Sequence, residues 1–321
     1  MEPISQQMRP PGNVADSQHP PQAITEVLAT IPDGVAVGYR VLFSDRAQLV
    51  CDNSHLLTVR APKGEWRYLT GAQVIAEGFT QPNGTGATGK PQIRYRHQVP
   101  IGRPLEFPEV HLPLHPYLVG YLLGDGFLNG TPRIAAAPDE ERPWEDTLPP
   151  GSHVVQYGKG FDHGLARVPQ GRQAHGAGDR ENPVTHGLRE IGLWGCLTRD
   201  KFIPDIYLHG SISQRWALLQ GLEDSDGSAR VGGAVFGNSS KLLIDGIVEL
   251  ILSLGGLAYK RTYGTLELPF WHVDGQFDGS LGAPFRLQRK IAGCTPRIRP
   301  LRRCITSIEP WTPQTCGPHL D

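Results

Sequence analysis

Two aspartates end two similar apolar runs, a position that is unusual for an acidic side chain in a helix. The stretch Ser211–Gly227 carries apolar residues at helical spacing and closes with Glu223, Asp224, Asp226 and Gly227. Because the C-terminal end of a helix carries partial negative charge, carboxylates there are disfavoured, and a basic residue is the usual choice. A single copy of this pattern would be interpreted as a helix followed by an acidic Asp-Gly turn.

A second copy changes that interpretation. Pro116–Gly126 has a proline start, an apolar run with a glycine inside it and an Asp-Gly end. Aligned on the glycines, Leu118–Gly126 matches Leu219–Gly227, and Asp125 falls on Asp226. Two such copies in one chain predict an internal duplication in which each unit buries its apolar face against the other.

The glycines inside the two runs predict where the aspartates meet. Helices that pack through Gly120 and Gly221 bring Asp125 and Asp226 together at the ends of two adjacent helices. Two carboxylates and two negative helix ends repel one another unless cations hold them. Oxygen-only ligation of this kind suits Mg²⁺ better than zinc. The sequence therefore predicts a site for a divalent cation, with Mg²⁺ as the expected cofactor.

Several motifs together resemble the LAGLIDADG homing endonucleases, specifically the DOD-type enzymes that are inserted within inteins. The two glycine-containing runs resemble the motif that names the family. Between them, Lys201–Pro204 (KFIP) is similar to the family's lysine block. After the second run, Ser239–Gly256 resembles the helix that commonly follows it.

The resemblance implies an α+β fold. Residues 111–295 are expected to form a pseudo-symmetric αββαββ duplicated endonuclease domain. Its strands would form a saddle-shaped sheet in the major groove of double-stranded DNA. The protein is expected to be a monomer with internal pseudo-two-fold symmetry.

The flanking segments resemble parts of a Hint domain, the all-β self-splicing fold of inteins. Residues 23–110 carry short β-like runs, and Arg303–Pro310, within 296–321, resembles the strand by which such inteins return to the Hint domain. His55 falls where the family places the histidine that promotes the first acyl shift, although a histidine between strands is more often structural. Residues 1–22, rich in proline and glutamine, are predicted to be disordered.

The ends of the sequence lack the residues that splicing requires. It begins Met1-Glu2-Pro3 and finishes His319-Leu320-Asp321, with neither a first-residue nucleophile nor a terminal asparagine. Both extremities of the Hint domain are therefore expected to be truncated, and the chain is not expected to splice itself.

Composition limits the class of protein further. The 321 residues leave room for two domains, and the net charge of −1 gives no overall support for nucleic-acid binding. Five cysteines without CxxC spacing favour a reducing cytosol and argue against a zinc site. The sequence has no charged-then-apolar leader and no apolar run long enough to span a bilayer, so a cytoplasmic location without membrane contact is expected.

The resemblance also implies roles for individual residues. Asp125 and Asp226 would hold divalent ions, and the backbone carbonyls of Gly124 and Ser225 would complete the coordination. Lys201 would lie near the attacking water or the transition-state charge. Lys260 is a looser candidate for the corresponding lysine of the second half, and an exposed strand lysine with no role is the alternative.

One basic tract is the candidate for phosphate contacts. Phe285–Arg303 contains no acidic residue, and the residues expected to bind DNA within it are Arg286, Arg289, Lys290, Arg297 and Arg299. A solvated linker between domains is the competing interpretation of the same tract.

The sequence thus favours an intein-derived homing endonuclease that hydrolyses phosphodiester bonds in double-stranded DNA at a long specific site, with a divalent cation. Two alternatives stay open. One is a decayed, inactive intein fragment, and the other is a non-catalytic DNA-binding module of the same fold.

Overall fold

The computed structural model describes residues 38–86, 88–137, 139–157, 161–169, 181–265, 267–295 and 301–312. The segment 1–22, predicted to be disordered, lies outside these residues. The described chain divides into two compact units. The first contains Gln48–Arg103 and the described parts of 1–42 and 304–321, and the second contains Phe43–Ala47 and Pro104–Arg303.

The described residues form sixteen strands and seven α-helices. The strands are β1 (Gly38–Phe43), β2 (Gln48–Asp52), β3 (Leu56–Arg60), β4 (Trp66–Thr70), β5 (Thr80–Thr85), β6 (Pro91–Tyr95), β7 (Gln98–Val99), β8 (Gly126–Phe127), β9 (Arg133–Ala135), β10 (Ser152–Gln156), β11 (Asp162–Arg167), β12 (Ser228–Arg230), β13 (Gly233–Asn238), β14 (Leu257–Gly264), β15 (Pro269–Gln276) and β16 (Arg303–Trp311). The α-helices are α1 (Gly71–Glu77), α2 (Pro116–Asp125), α3 (Pro183–Glu190), α4 (Asp205–Leu208), α5 (Ile212–Asp226), α6 (Lys241–Ser253) and α7 (Gln288–Gly293).

The first unit is built on a six-stranded sheet with the order β2-β1-β16-β7-β3-β4. Strand β16, which contains the predicted return stretch Arg303–Pro310, lies between β1 and β7. Strands from both ends of the chain therefore share one sheet. Alternating burial along β3, where Leu57 and Val59 are buried, supplies apolar side chains for one face of this sheet.

In the second unit, α2 and α5 begin at side-chain caps. Ser211 and Gln214 form a capping box at the start of α5. At the start of α2, His115 Nδ1 accepts the Tyr117 N–H at 3.2 Å, and Pro116 occupies the first turn, where it sacrifices no hydrogen bond. The predictions of helices over these two stretches agree with the structure.

Both helices end at an aspartate followed by an extended glycine. Gly126 has φ −84° and ψ 145°, and Gly227 has φ −84° and ψ 161°. Neither glycine takes the left-handed conformation of a common helix terminator. The chain instead passes directly into β8 and β12, so each motif aspartate lies at a junction between a helix and a sheet.

Each motif helix is followed by strands of a four-stranded antiparallel sheet. The orders are β10-β11-β9-β8 and β12-β13-β15-β14. Strands β9 and β10 are short, and Ile134 is their one buried residue. The core of this unit joins α2 and α5 to α6, whose Leu243, Ile244, Ile247, Leu250 and Ile251 are buried.

Within the residues that the structure describes, no helix is both long enough and apolar enough to cross a bilayer.

Candidate metal-binding and nuclease site

The two motif helices pack directly through their glycines. A Cβ atom added to Gly120 would lie 2.1 Å from the Leu218 carbonyl oxygen, and one added to Gly221 would lie 2.1 Å from the Tyr117 carbonyl oxygen. Further along, a Cβ on Gly124 would lie 1.9 Å from Ser225 Oγ. Because residue numbers rise together along both contact surfaces, the helices run in the same direction and their C-termini lie side by side.

This pairing brings the two motif aspartates together with their side chains open to solvent. Both Asp125 and Asp226 are exposed. Desolvation of the carboxyl group raises the pKa of Asp125, and the charge of Asp226 raises it further. The pKa of Asp226 is also raised by desolvation, against the lowering effect of Lys290 and Lys201. Within the described residues neither carboxylate has a hydrogen-bond or ion-pair partner.

Lys201 is buried and binds backbone carbonyl groups at the C-terminus of α2. The side chain is 2% exposed, and Nζ donates to the carbonyls of Leu122 at 3.0 Å, Gly124 at 3.4 Å and Gly126 at 2.8 Å. Burial lowers the pKa of Lys201 to about 8, while Asp125 and Asp226 oppose that shift. Three carbonyl acceptors require three N–H donors, so the side chain is bound as the ammonium.

Lys290 does the same for α5. It is 7% exposed, and Nζ donates to the carbonyls of Glu223 at 2.7 Å, Asp224 at 2.7 Å and Gly227 at 2.8 Å. In the motif alignment, Glu223 corresponds to Leu122 and Gly227 corresponds to Gly126. At the end of each motif helix, a buried ammonium therefore binds three carbonyls, two of which are at equivalent positions in the two helices. The positive charge offsets the partial negative charge of the helix end.

Asp224 holds the segment that delivers Lys290. This fully buried carboxylate accepts the backbone N–H of Arg286 at 2.7 Å and of Leu287 at 3.2 Å, and the Tyr117 hydroxyl at 2.8 Å. Tyr117 belongs to α2, whereas Asp224 belongs to α5. One buried acid therefore holds the segment that leads into α7 against both motif helices. Desolvation raises the pKa of Asp224.

The expectation for Lys260 is corrected by its position. Lys260 lies on β14, and its Nζ pairs with the Asp245 carboxylate of α6, which also binds Lys241 at 2.6 Å. From the sequence, Lys260 was a looser candidate for the counterpart of Lys201 in the second half. Lys290 occupies that place instead, because the chain returns to the helix ends only after β15.

The basic tract is largely engaged within the protein. Arg286 donates to Gln220 Oε1 at 3.0 Å and lies over the Tyr117 ring, and Arg289 pairs with Glu140. Lys290 is buried, so its predicted role as a phosphate contact is wrong. Arg297 and Arg299, the other predicted contacts, lie outside the described residues.

His55, the predicted splicing remnant, is exposed in the turn between β2 and β3. Its backbone N–H donates to the Asp52 carbonyl at 3.4 Å, and the Asp52 carboxylate is capped by Ser54 N–H at 2.6 Å. In the first unit, His55 is therefore a turn residue that remains accessible from solvent.

Glu223, one of the acids that close the second run, is a titratable group to which no sequence motif assigned a role. Its side chain is 1% exposed, its Oε2 atom has no hydrogen-bond partner within the described residues, and burial raises its pKa to about 8. In its position before the motif aspartate, an aliphatic side chain would have been the simpler choice for an apolar helix face.

We expect Glu223→Gln to change how stability depends on pH. Between its ordinary pKa of 4.5 and about 8, the unfolded chain has lost the Glu223 proton while the folded chain retains it. The free energy of unfolding therefore falls as pH rises through this window and levels off above it. Denaturant unfolding of the variant should show a gain over wild type of a few kcal/mol at pH 9 and little difference at pH 4. Equal pH profiles for the two proteins would contradict the burial of an ionisable group here.

The donor set at the paired helix ends fits a hard divalent cation. The two aspartates supply unpartnered carboxylate oxygens, and Gly124 leaves the space beside Ser225 and Asp226 that a side chain would fill. No group of three or more His, Cys, Asp or Glu side chains is arranged for a metal in the described part of the chain. Two carboxylates with backbone, water or ligand oxygens suit Mg²⁺ or Ca²⁺ and do not suit zinc.

The replicative DNA helicase DnaB of Mycobacterium intracellulare is 31% identical over 251 residues, and the alignment covers 73% of this chain and 36% of that protein. The chain thus spans about a third of the length of this curated relative. No protein-family model matches the chain.

Solved structures of the homing endonuclease I-DmoI also align. Mesophilic variants of it align with a TM-score of 0.36 and 12% identity, covering 53% of this chain and 91% of theirs. A complex of I-DmoI with DNA and Ca aligns with a TM-score of 0.36 and 12% identity, covering 56% and 95%. A complex with DNA and Mn has a TM-score of 0.34 and 10% identity, covering 53% and 92%.

Proposed function

We propose that the chain is an intein-derived homing endonuclease that hydrolyses phosphodiester bonds in double-stranded DNA with the help of divalent cations, Mg²⁺ being the expected one. The observation that carries the proposal is the pair of solvent-facing, unpartnered aspartates at the adjacent ends of two parallel helices, each with a buried ammonium behind it. A purely structural turn would not need two acids and two buried lysines at one place.

The residues of the chain have separable tasks in this reaction. Asp125 and Asp226 would hold cations, which when bound lower the pKa of water and stabilise the charge on the leaving oxygen. Lys201 and Lys290 keep the two helix ends in register and supply fixed positive charge near the scissile phosphate. Because both lysines are saturated by carbonyl acceptors, we assign them electrostatic and positioning roles and no role as proton acceptors.

One face of the β12-β13-β15-β14 sheet is a candidate surface for the DNA. Arg261 lies opposite His272, and Tyr263 lies opposite Phe270, in the β14–β15 register. The Tyr263 and His272 ring centroids are 4.6 Å apart, and the Tyr263 and Phe270 side chains are 47% and 38% exposed. Cationic and aromatic side chains on one open sheet face can contact phosphates and base edges.

The helicase comparison supports a proposal for the target. We propose that this chain corresponds to an insertion in a replicative DNA helicase gene, because most of it aligns with only about a third of that relative. The target is then the helicase sequence without the insertion, where the two flanks are joined. A non-cleaving DNA-binding module is the alternative, and the presence of both motif aspartates favours the enzyme.

The test uses a plasmid that carries the joined helicase sequence and a second plasmid that carries the interrupted one. We expect linearisation of the first plasmid only, dependent on added Mg²⁺ or Mn²⁺ and abolished by EDTA. If no divalent cation supports cleavage while the protein binds the joined sequence tightly, the non-catalytic alternative is correct.

Substitution of the buried lysines should separate them from Lys260. We expect Lys201→Met and Lys290→Met each to lower the cleavage rate at least tenfold and to lower stability, because carbonyls at a helix end lose their donor. Lys260→Met is the matched control, and its cleavage rate should stay within about twofold of wild type since its partner is Asp245. Single-turnover cleavage and denaturant unfolding are measured on all three. A larger loss in Lys260→Met than in Lys290→Met would reverse the assignment.

A further inference from the structure

Strands β5 and β6 form a ribbon that stands apart from the main sheet of the first unit. Among the described strands they hydrogen-bond only to one another, as a two-stranded antiparallel sheet. Their side chains are exposed except at Gln81 and Arg94, which are half-buried and face each other across the ribbon. Ile93 is 73% exposed and Tyr95 is 41% exposed.

The ribbon has a defined shape although it buries little apolar surface. The Gly86 N–H donates to the Lys90 carbonyl at 2.8 Å, and the Gly89 N–H donates to the Gly86 carbonyl at 2.9 Å. Gly89 has φ 73°, which a side chain would strain, and the register shifts between Pro82 and Thr85. A two-stranded hairpin of this kind is marginally stable in water by itself. Contact between its exposed side chains and a partner would therefore stabilise the ribbon.

The ribbon is positively charged. The sequence from Gly78 to Leu105 contains no acidic residue, and it places Lys90, Arg94 and Arg96 on or beside the ribbon. In the part of the chain that the structure describes, neither Lys90 nor Arg94 forms an ion pair, and the buried Arg94 Nε has no hydrogen-bond partner. Lys90 is exposed and Arg94 is half-buried, and neither charge is paired within the described chain, unlike that of Arg289, which pairs with Glu140.

The prolines of the ribbon narrow the choice of partner. Pro82 in β5 and Pro91 in β6 lack the N–H that a strand added to an edge would need, so pairing with another chain or a second copy is disfavoured. An acid-free ribbon that carries Arg94 and the exposed side chains of Lys90 and Gln92 instead matches duplex DNA, whose major groove admits a two-stranded β-ribbon. Phosphate contacts by unpaired cations provide affinity without a requirement for sequence.

We propose that the β5–β6 ribbon is a DNA-binding element of the first unit, with Lys90 and Arg94 on backbone phosphates of a duplex. The inference rests on the proposed function for its biological setting, since a nuclease with a long site gains affinity from contacts outside its catalytic unit. It assigns DNA binding to residues of the first unit for which no motif in the sequence indicated a role.

The experiment compares Lys90→Gln/Arg94→Gln with the wild-type full chain by fluorescence anisotropy on a mixed-sequence DNA duplex without divalent cations, over a series of salt concentrations. Loss of two phosphate contacts should lower the magnitude of the slope of log K against log salt by about two. Lys63→Gln, in the turn between β3 and β4, is the matched control for loss of one exposed lysine, and Lys90→Gln should reduce the slope by about one where Lys63→Gln does not.

Thermal unfolding confirms that each variant is folded. An unchanged slope in the double variant, or an equal change in Lys63→Gln, would overturn the inference. Weakened binding by the double variant to a single-stranded RNA but not to the duplex would also overturn it. If wild type binds DNA through the ribbon but never cleaves the joined helicase sequence, the proposed function fails and this inference stands. If wild type cleaves that sequence and the double variant binds as wild type, only this inference fails.

Discussion

Replacing either motif aspartate should abolish metal-dependent cleavage while leaving the folded protein as stable as before. We expect Asp125→Asn and Asp226→Asn each to lower the cleavage rate by about a hundredfold or more, since a bound cation supplies several kcal/mol of transition-state stabilisation. The carboxylates have raised pKa values through desolvation and, at Asp125, mutual repulsion, so their charged forms disfavour folding at neutral pH. An amide removes that cost, and the free energy of unfolding should stay equal or rise slightly.

The measurements are Mg²⁺-dependent plasmid cleavage and denaturant unfolding without metal. Asp146 is an exposed aspartate between α2 and α5. The Asp146→Asn variant is the control, and it should leave both the cleavage rate and the free energy of unfolding unchanged. Binding of duplex DNA without metal should survive in both variants, because phosphate contacts do not depend on the motif acids. Cleavage that persists in both variants would refute the catalytic assignment, and a fall in stability with activity intact would show that the acids are structural.

Enlarging either interface glycine should destabilise the second unit more than any surface change. We expect Gly221→Ala to cost on the order of 3 kcal/mol and Gly221→Leu to cost more, because the added Cβ would lie 2.1 Å from the backbone oxygen of Tyr117. A backbone atom in a packed helix cannot rotate away as a flexible side chain can, so the helices themselves must separate. Separation would also move Asp125 away from Asp226, and cleavage should fall together with stability.

Gly246→Ala is the matched control because the same substitution is made inside another helix. A Cβ at Gly246 would lie 3.3 Å from Ile203 Cβ, so a shift of a few tenths of an ångström is enough to accommodate it. Alanine also has the better helix propensity by about 1 kcal/mol, so this variant should be neutral or stabilised. Chemical denaturation monitored by tryptophan fluorescence measures both. An equal change in Gly221→Ala and Gly246→Ala would mean that close approach of α2 and α5 is not required for stability.

Much of the second unit could be predicted from local features of the sequence. The helices α2 and α5 have their start signals, their apolar positions and their Asp-Gly ends within a few residues of one another, so each is visible in a short window. Ser239–Gly256 also contains a helix as expected, α6. The glycines Gly120 and Gly221 were informative because a missing side chain at one position of an apolar face indicates close approach of another backbone.

The strands and the ribbon were harder to predict, because their register depends on partners far along the chain. The stretch Leu49–Arg60 contains two strands, β2 and β3, which are separated by a turn around Asp52 and Ser54. Strand β16 is placed between β1 and β7 by hydrogen bonds to residues more than two hundred positions earlier. Nothing in a short window of sequence specifies such a pairing.

Lys290 shows most clearly which features the sequence determined and which only the tertiary structure decided. By itself the sequence determined two matched helices, each with an aspartate at its end, because helix signals act over neighbouring residues. Only the tertiary structure decided that Lys290, and not Lys260, lies behind Asp226. The Asp224 carboxylate binds the backbone N–H groups of Arg286 and Leu287, more than sixty residues away in sequence. A buried carboxylate must find donors wherever the fold supplies them, and that choice depends on contacts that no local pattern encodes.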